Sequence, residues 1–343
     1  MAKITLLSGR ELTDYGMPYF VAEVNSSHNG NVEVAKQMID AAVEAGCDCV
    51  KFQSWSTESL YSATYYKANP ISKRMVTKFS LTAEQLKNMA LYCNSKGIDF
   101  SSTPYSCAEV DFLIEECHAP FVKIASMDLN NLKYLRYIGK KNVPIVLSTG
   151  MSTMEEIRRA VKTIEETGNR SICLLHCISI YPPKTETIHL NNILGLREEF
   201  TNYPIGFSDH SKGVEMAVAS TALGAALIEK HLTLDSKKIG MDNQMATEPE
   251  EMKKMVDCCI NTFTAMGHKE RVVLQDEQEM MEKMRRSVIL TSDLKAGHVL
   301  TINDLDAKRP GTGIPADQID SLVGKTLVRD VEGDTLLSVE DYK

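Results

Sequence analysis

Short apolar, β-branched runs alternate with stretches of helical period eight times along the first 267 residues. The runs are Phe20 to Asn25, Cys49 to Gln53, Ile98 to Pro104, Phe121 to Ser126, Pro144 to Gly150, Ser171 to Cys177, Ile205 to His210 and Ala226 to Leu232. Hydrophobicity that is continuous rather than alternating is what strands covered on both faces require, and strand–helix repetition points to a parallel sheet. Between the runs, Ala35, Met38, Ile39, Ala42 and Val43 form one helical stripe, closed by Gly46 where a left-handed cap belongs. Thr82 to Gln85 and Ser152 to Glu155 each have the spacing of a capping box. Met252, Met255, Val256, Cys259, Ile260 and Phe263 make a last stripe before Gly267. Eight such units in roughly 265 residues predict a (β/α)₈ barrel over residues 1–267. An open doubly wound sheet lacks its fingerprint here, because the first strand runs into Asn25-Ser26-Ser27-His28-Asn29-Gly30 rather than a GxGxxG turn.

The pattern then changes. Residues 268–284 are charged and Met-rich and predict a helical or extended linker, and residues 285–343 carry short strands and turns such as Arg309-Pro310-Gly311. A β-rich module of about 58 residues is near the lower limit for independent stability and is expected to lean on a partner surface. The balance of 38 Lys plus Arg against 46 Asp plus Glu, a net charge of −8, gives no global attraction to nucleic acid. No apolar stretch approaches the roughly 20 residues of a membrane span, and Ser8, Arg10 and Glu11 interrupt any secretory segment, so a cytoplasmic protein is expected. The nine cysteines show no paired CxxC spacing and read as reduced core thiols.

A barrel gathers its strand C-termini at one mouth. Those positions hold Glu23, Lys51, Gln53, Thr103, Lys123, Ser126, Ser148, His176, Ser208, His210, Glu229 and His231. Lys51 and Lys123 beside Ser and Thr hydroxyls form the pattern a bound phosphate needs; otherwise each is a lysine with a buried stem and a solvated head. His210 and His231 end the neighbouring seventh and eighth strands. With carboxylates nearby they suit Mn²⁺ or a similar ion better than a closed structural zinc site; the alternative is a pair of core histidines held by Asp209 and Glu229. His28 and His176 read as loop or supporting residues.

Several segments are together more specific than any one alone. They are Ala22-Glu23-Val24, His28-Asn29-Gly30, Val50-Lys51-Phe52-Gln53, Lys123-Ile124-Ala125-Ser126, Leu147-Ser148-Thr149-Gly150-Met151, Gly206-Phe207-Ser208-Asp209-His210-Ser211 and Ile228-Glu229-Lys230-His231. In this order, followed by Arg309-Pro310-Gly311, the chain resembles the sialic acid synthase family with its C-terminal antifreeze-like (SAF) module. The resemblance implies condensation of phosphoenolpyruvate with an N-acylated mannosamine-type sugar and release of phosphate. It implies that Lys51, Lys123, Ser126, Ser148 and Ser208 bind phosphoenolpyruvate, and that His210 and His231 hold Mn²⁺, with Mg²⁺ or Co²⁺ as substitutes. Glu23 and Asp128 are then the acidic groups for protons or sugar hydroxyls, and Gln53 and Tyr181 line the sugar side. It further implies a homodimer in which the SAF module of one subunit closes the barrel of the other, carrying Arg309 to the N-acyl group.

The sequence departs from the commoner family pattern mainly where sugar is expected. Asn25-Ser26-Ser27 stands for Gly-Val-Asn, Ala125-Ser126-Met127-Asp128 for Gly-Ser-Gly-Glu, and Gly240-Met241-Asp242-Asn243 for Gly-Pro-Asp-His. The segment from Thr57 to Lys78, rich in Tyr and Lys, is expected to help choose the sugar. Two other readings stay open: a Schiff-base aldolase using Lys51 or Lys123, and a non-catalytic sugar- or ice-binding protein.

Overall fold

The structure, a computed structural model, describes all residues except 239 and 241, so that Met241 in the departing segment above lies outside the described residues. The chain divides into two compact units, Met1–Gly267 and His268–Lys343.

In the first unit the apolar runs form eight parallel strands: β1 (Tyr19–Glu23), β2 (Cys49–Gln53), β3 (Asp99–Thr103), β4 (Val122–Ile124), β5 (Ile145–Ser148), β6 (Ile172–Cys177), β7 (Ile205–Asp209) and β8 (Leu227–His231). Their order, β3-β2-β1-β8-β7-β6-β5-β4, is that of a nearly closed barrel. Between β3 and β4 the Ser101 hydroxyl donates to the Phe121 carbonyl at 3.4 Å.

Alternation along each strand sorts the side chains into two cores. Outward residues such as Ala22, Val50, Phe52, Ile124, Leu147 and Ile228 pack under the helices. Inward residues including Val21, Cys49, Val146, Cys173, Leu175 and Leu227 fill the barrel, joined by Ile4, Leu6 and Leu12 of an N-terminal hairpin. That hairpin, Lys3–Thr5 paired antiparallel with Glu11–Thr13, sits at the strand N-termini, where Leu7 N–H donates to the Pro120 carbonyl and Ile205 N–H to the Asp14 carboxylate. The floor is plugged.

The helix over Val32–Ala45 buries its predicted stripe apart from half-buried Val43, and it ends at Gly46 with φ 82°. The Thr82–Gln85 capping box is present. The second box is one residue later than expected: Thr153 caps the helix Met154–Glu165 and Glu156 closes the box, while the Ser152 hydroxyl donates to the Gly150 carbonyl. In the helix Pro249–Met266, Met252, Met255, Val256 and Cys259 are buried, but Ile260 is 38% exposed and Phe263 half-buried. The segment after β2 holds two short helices, Ala63–Ala68 and Pro70–Phe79. All nine cysteines are free. No described helix is long and apolar enough to cross a membrane.

In the second unit, Gln275–Met284 is helical, one of the two conformations expected for that stretch. Strands Ser287–Leu290 and Leu305–Lys308 pair antiparallel over a small core of Val288, Leu290, Leu300, Leu327, Val331 and Leu337.

Candidate active site

The barrel mouth opens into a cavity of about 330 Å³. Its floor is an ionic cluster that follows from strand register. Glu23 pairs with Lys51 across β1 and β2, and His231 with Glu23 across β8 and β1, so all three side chains enter from one level. On β8 the alternation sends Glu229 and His231 inward and Lys230 outward, where its ammonium bonds Asp209 at 2.7 Å and the Ser211 carbonyl at 2.8 Å.

Lys51 and Lys123 are each only 3% exposed, so neither is a stem with a solvated head. The Lys51 ammonium contacts the Glu23 carboxylate, donates to Thr103 Oγ1 at 3.0 Å and lies 3.6 Å from Glu229. The Lys123 ammonium donates to Ser148 Oγ at 2.7 Å and lies 3.7 Å from the other Glu229 oxygen. Ser208 donates to that same oxygen at 2.8 Å. Glu229 therefore bridges two cations. Burial opposes its charge, but Lys123, Lys51 and the Ser208 hydroxyl outweigh burial and hold its carboxyl down to about 2. Burial, reinforced by Glu229, pushes Glu23 up against the pull of Lys51. Burial likewise opposes the charge of Lys51, yet the two glutamates raise it, whereas burial lowers Lys123, which has the weaker anionic surroundings.

Two imidazoles stand beside this cluster. The His210 and His231 ring centroids are 5.5 Å apart, and Tyr181 lies 4.3 Å from His210. His210 Nδ1 is committed to the Ile178 carbonyl at 2.8 Å, which leaves Nε2 as the nitrogen on the Ser208 side, 3.4 Å from its hydroxyl. Burial lowers both histidines, and His210 lowers His231 further, so both rings are neutral and fit for coordination. Neither is a core histidine held by Asp209 or Glu229: Asp209 is taken by Lys230 and Ser211, and Glu229 by Ser208 and the lysines. Among the described residues no group of three or more His, Cys, Asp and Glu that could hold a metal ion is found, so these two rings are the nitrogens that could hold an ion here.

At the rim, Gln53 donates to Glu23 at 3.1 Å and accepts from the Tyr105 hydroxyl at 2.8 Å. Ser126 Oγ accepts from the Gly150 N–H at 3.1 Å; a Cβ at Gly150 would meet that oxygen at 2.8 Å, so only glycine lets the two loops approach this closely. The cavity wall thus brings together Glu23, Lys51, Gln53, Lys123, Ser126, Ser148, Tyr181, Ser208, His210 and His231. Asp128 is not in that wall: it sits in a 3₁₀ turn, its carboxylate accepting from Asn131 at 3.5 Å. Arg309 belongs to the second unit, where it is exposed at the end of a strand. His28 Nδ1 accepts from the Gly30 N–H and His176 Nε2 lies 2.7 Å from the Ile188 carbonyl, both away from the cavity.

Residues 38–271 match the NeuB family, and residues 285–343 match the SAF domain. The chain belongs to the NeuB family. With it the chain joins the carbon–carbon bond-forming transferases named for sialic, legionaminic and pseudaminic acids. It is 36% identical to an uncharacterized protein of Methanocaldococcus jannaschii over 99% of both chains. It is 34% identical to the N,N'-diacetyllegionaminic acid synthase of Legionella pneumophila over 93% of each. Among solved structures it resembles the N-acetylneuraminic acid synthetase of Leptospira borgpetersenii, with a TM-score of 0.74 and 28% identity, covering 82% of this chain and 96% of that one.

Thr103 and Glu229, which the strand-end positions place at the mouth without a role, also line the NeuB-type cavity, as do Tyr105, Asn25 and Asp242. Strand-end position finds Thr103 and Glu229; the other three sit on loops whose reach into the mouth is a tertiary fact.

Proposed function

We propose that the chain condenses phosphoenolpyruvate with an N-acylated hexosamine, of the mannosamine or diacetamido-trideoxy type, to a nine-carbon 2-keto-3-deoxy acid with release of phosphate, in the cytoplasm. The observation that carries this reading is the buried Lys51–Glu229–Lys123 cluster. Two ammonium groups held apart by one carboxylate, with hydroxyls at Thr103, Ser148 and Ser208, form a cradle for a small polyanion. Lys51, Lys123, Ser126, Ser148 and Ser208 take the phosphate and carboxylate of the donor, and Gln53 and Tyr181 face the acceptor. His210 and His231 would hold a divalent cation, Mn²⁺ or its substitutes Mg²⁺ and Co²⁺, which when bound polarises the acceptor's aldehyde oxygen. C3 of the donor attacks the aldehyde carbon, water adds at C2, and the resulting hemiketal phosphate expels phosphate through C–O cleavage. Glu23, pushed toward its protonated form by burial, is the acid positioned to deliver or accept the proton. Asp128 lies outside the cavity wall but near enough for its charge to act on Tyr105, and its part is with the sugar hydroxyls at the rim.

The complete site requires a homodimer in which the SAF module of one subunit covers the barrel of the other and presents Arg309. Met127, Met151, Ile180 and Tyr181 stand exposed around the mouth, an apolar rim that a cover would bury.

The test is phosphate release from phosphoenolpyruvate against a panel of N-acyl hexosamines. Acceptor-dependent release is expected, and ¹⁸O at the bridging oxygen should appear in the phosphate. No release with any acceptor, or a pyruvate adduct trapped by borohydride on a cavity lysine, would overturn the reading.

A further inference from the structure

Asn25 lies directly after β1 with φ 41°, in the left-handed region that a residue with a side chain rarely occupies and glycine occupies freely. It is 3% exposed, yet it forms part of the cavity wall. Its donors are spoken for on two carboxylates: the backbone N–H donates to Glu23 Oε1 at 2.8 Å, and the side-chain amide donates to Asp242 in the loop after the neighbouring β8. Because a carboxylate can only accept, the Asp242 contact fixes the amide with its nitrogen toward Asp242 and its oxygen the other way. That oxygen, Oδ1, is buried and has no hydrogen-bond partner among the described residues. A strained backbone and an unmet buried acceptor at one position, both costs to the folded chain, are features that concentrate at ligand clamps.

We propose that Asn25 is a specificity-determining residue for the acceptor: its carboxamide oxygen accepts a hydrogen bond from a donor group, an N-acyl N–H or a hydroxyl, on the sugar, and Asp242 holds it in that orientation. The inference rests on the condensation proposed above. The donor side of the cavity, built on Lys51 and Lys123, does not include Asn25, so the two substrates report on it differently. Asp242 is a positioning residue here, acting through the Asn25 amide.

The test compares wild type with Asn25→Gly and Asp242→Asn, reading acceptor KM, kcat and phosphoenolpyruvate Kd with a set of acceptors that includes N-acyl sugars and analogues lacking single hydroxyls or the acyl N–H. Asn25→Gly relieves the left-handed backbone and is expected to fold. Its acceptor KM should rise about tenfold, as for loss of one hydrogen bond to a buried group, with phosphoenolpyruvate Kd unchanged. One analogue should lose that tenfold against wild type and nothing further against Asn25→Gly, which identifies the donor as N–H or hydroxyl. Asp242→Asn, which frees the amide to flip, should shift acceptor KM in the same direction. An unchanged acceptor KM and unchanged analogue ranking in Asn25→Gly would overturn the inference while wild-type turnover upholds the condensation. Absence of acceptor-dependent turnover in wild type would instead overturn the condensation.

Discussion

Lys123 is the side chain on which the donor site can be tested most directly. Burial lowers its ammonium; Glu229, Cys177 and Glu23 raise it and Lys51 lowers it further, and burial wins. A polyanion bound beside it favours the charged form. The sign follows: phosphoenolpyruvate affinity should fall as pH rises through the lowered Lys123 value, and binding above that value should take up a proton, measurable by calorimetry in two buffers of different ionisation enthalpy. Lys123→Met keeps the stem volume, removes the charge, and should weaken phosphoenolpyruvate binding at least about tenfold. Unchanged affinity in Lys123→Met would remove Lys123 from the donor site. The strand-end rule, applied to sequence, singled out Lys51, Lys123, Ser148, Ser208, His210 and His231, because inward positions at a barrel's upper rim are fixed by parity. It did not reveal that Glu229 sits between the lysines, since that depends on shear between strands and on two long side chains converging. Asn25 and Asp242, 217 residues apart in the chain, carried no sequence signal of meeting.

Among the elements, the eight strands were legible because residues covered on both faces leave an apolar run that nothing else in the chain imitates. Helix boundaries were less so. Ser152 and Thr153 are both cap formers, and Glu155 and Glu156 both lie three positions on, so two overlapping boxes compete and backbone geometry selects Thr153. Replacing Thr153 by Ala should cost about 1 kcal/mol in urea unfolding, and Ser152→Ala much less; equal costs would contradict this assignment. The sequence alone does not resolve the helices at Ala63–Ala68 and Pro70–Phe79: the first is six residues, too short to show a period, and the second spaces Ile71, Met75, Val76 and Phe79 helically among Lys and Arg. Tyr66 and Val76 nonetheless pack on Trp55, whose ring is part of the cavity wall, which ties that excursion to the site.

At the level of the whole molecule, two expectations concern what the single chain leaves incomplete. If His210 and His231 hold the divalent cation as proposed, chelation with EDTA should abolish turnover and Mn²⁺ restore it; full activity after rigorous metal removal would exclude the role given to them. If Arg309 serves a neighbouring barrel, mixing Arg309→Ala with a Lys123→Met chain should recover part of the activity, since one hybrid site carries neither lesion. No recovery after confirmed subunit exchange would assign Arg309 elsewhere. The hairpin wedged by Ile4, Leu6 and Leu12 under the inward side chains has a kinetic corollary. With its lower end stoppered, the barrel is a blind well, and under the proposed condensation the group resting on the lysines would arrive before the sugar and depart after the finished acid. Inorganic phosphate should therefore compete with phosphoenolpyruvate for the free enzyme, the signature of a queue with one door.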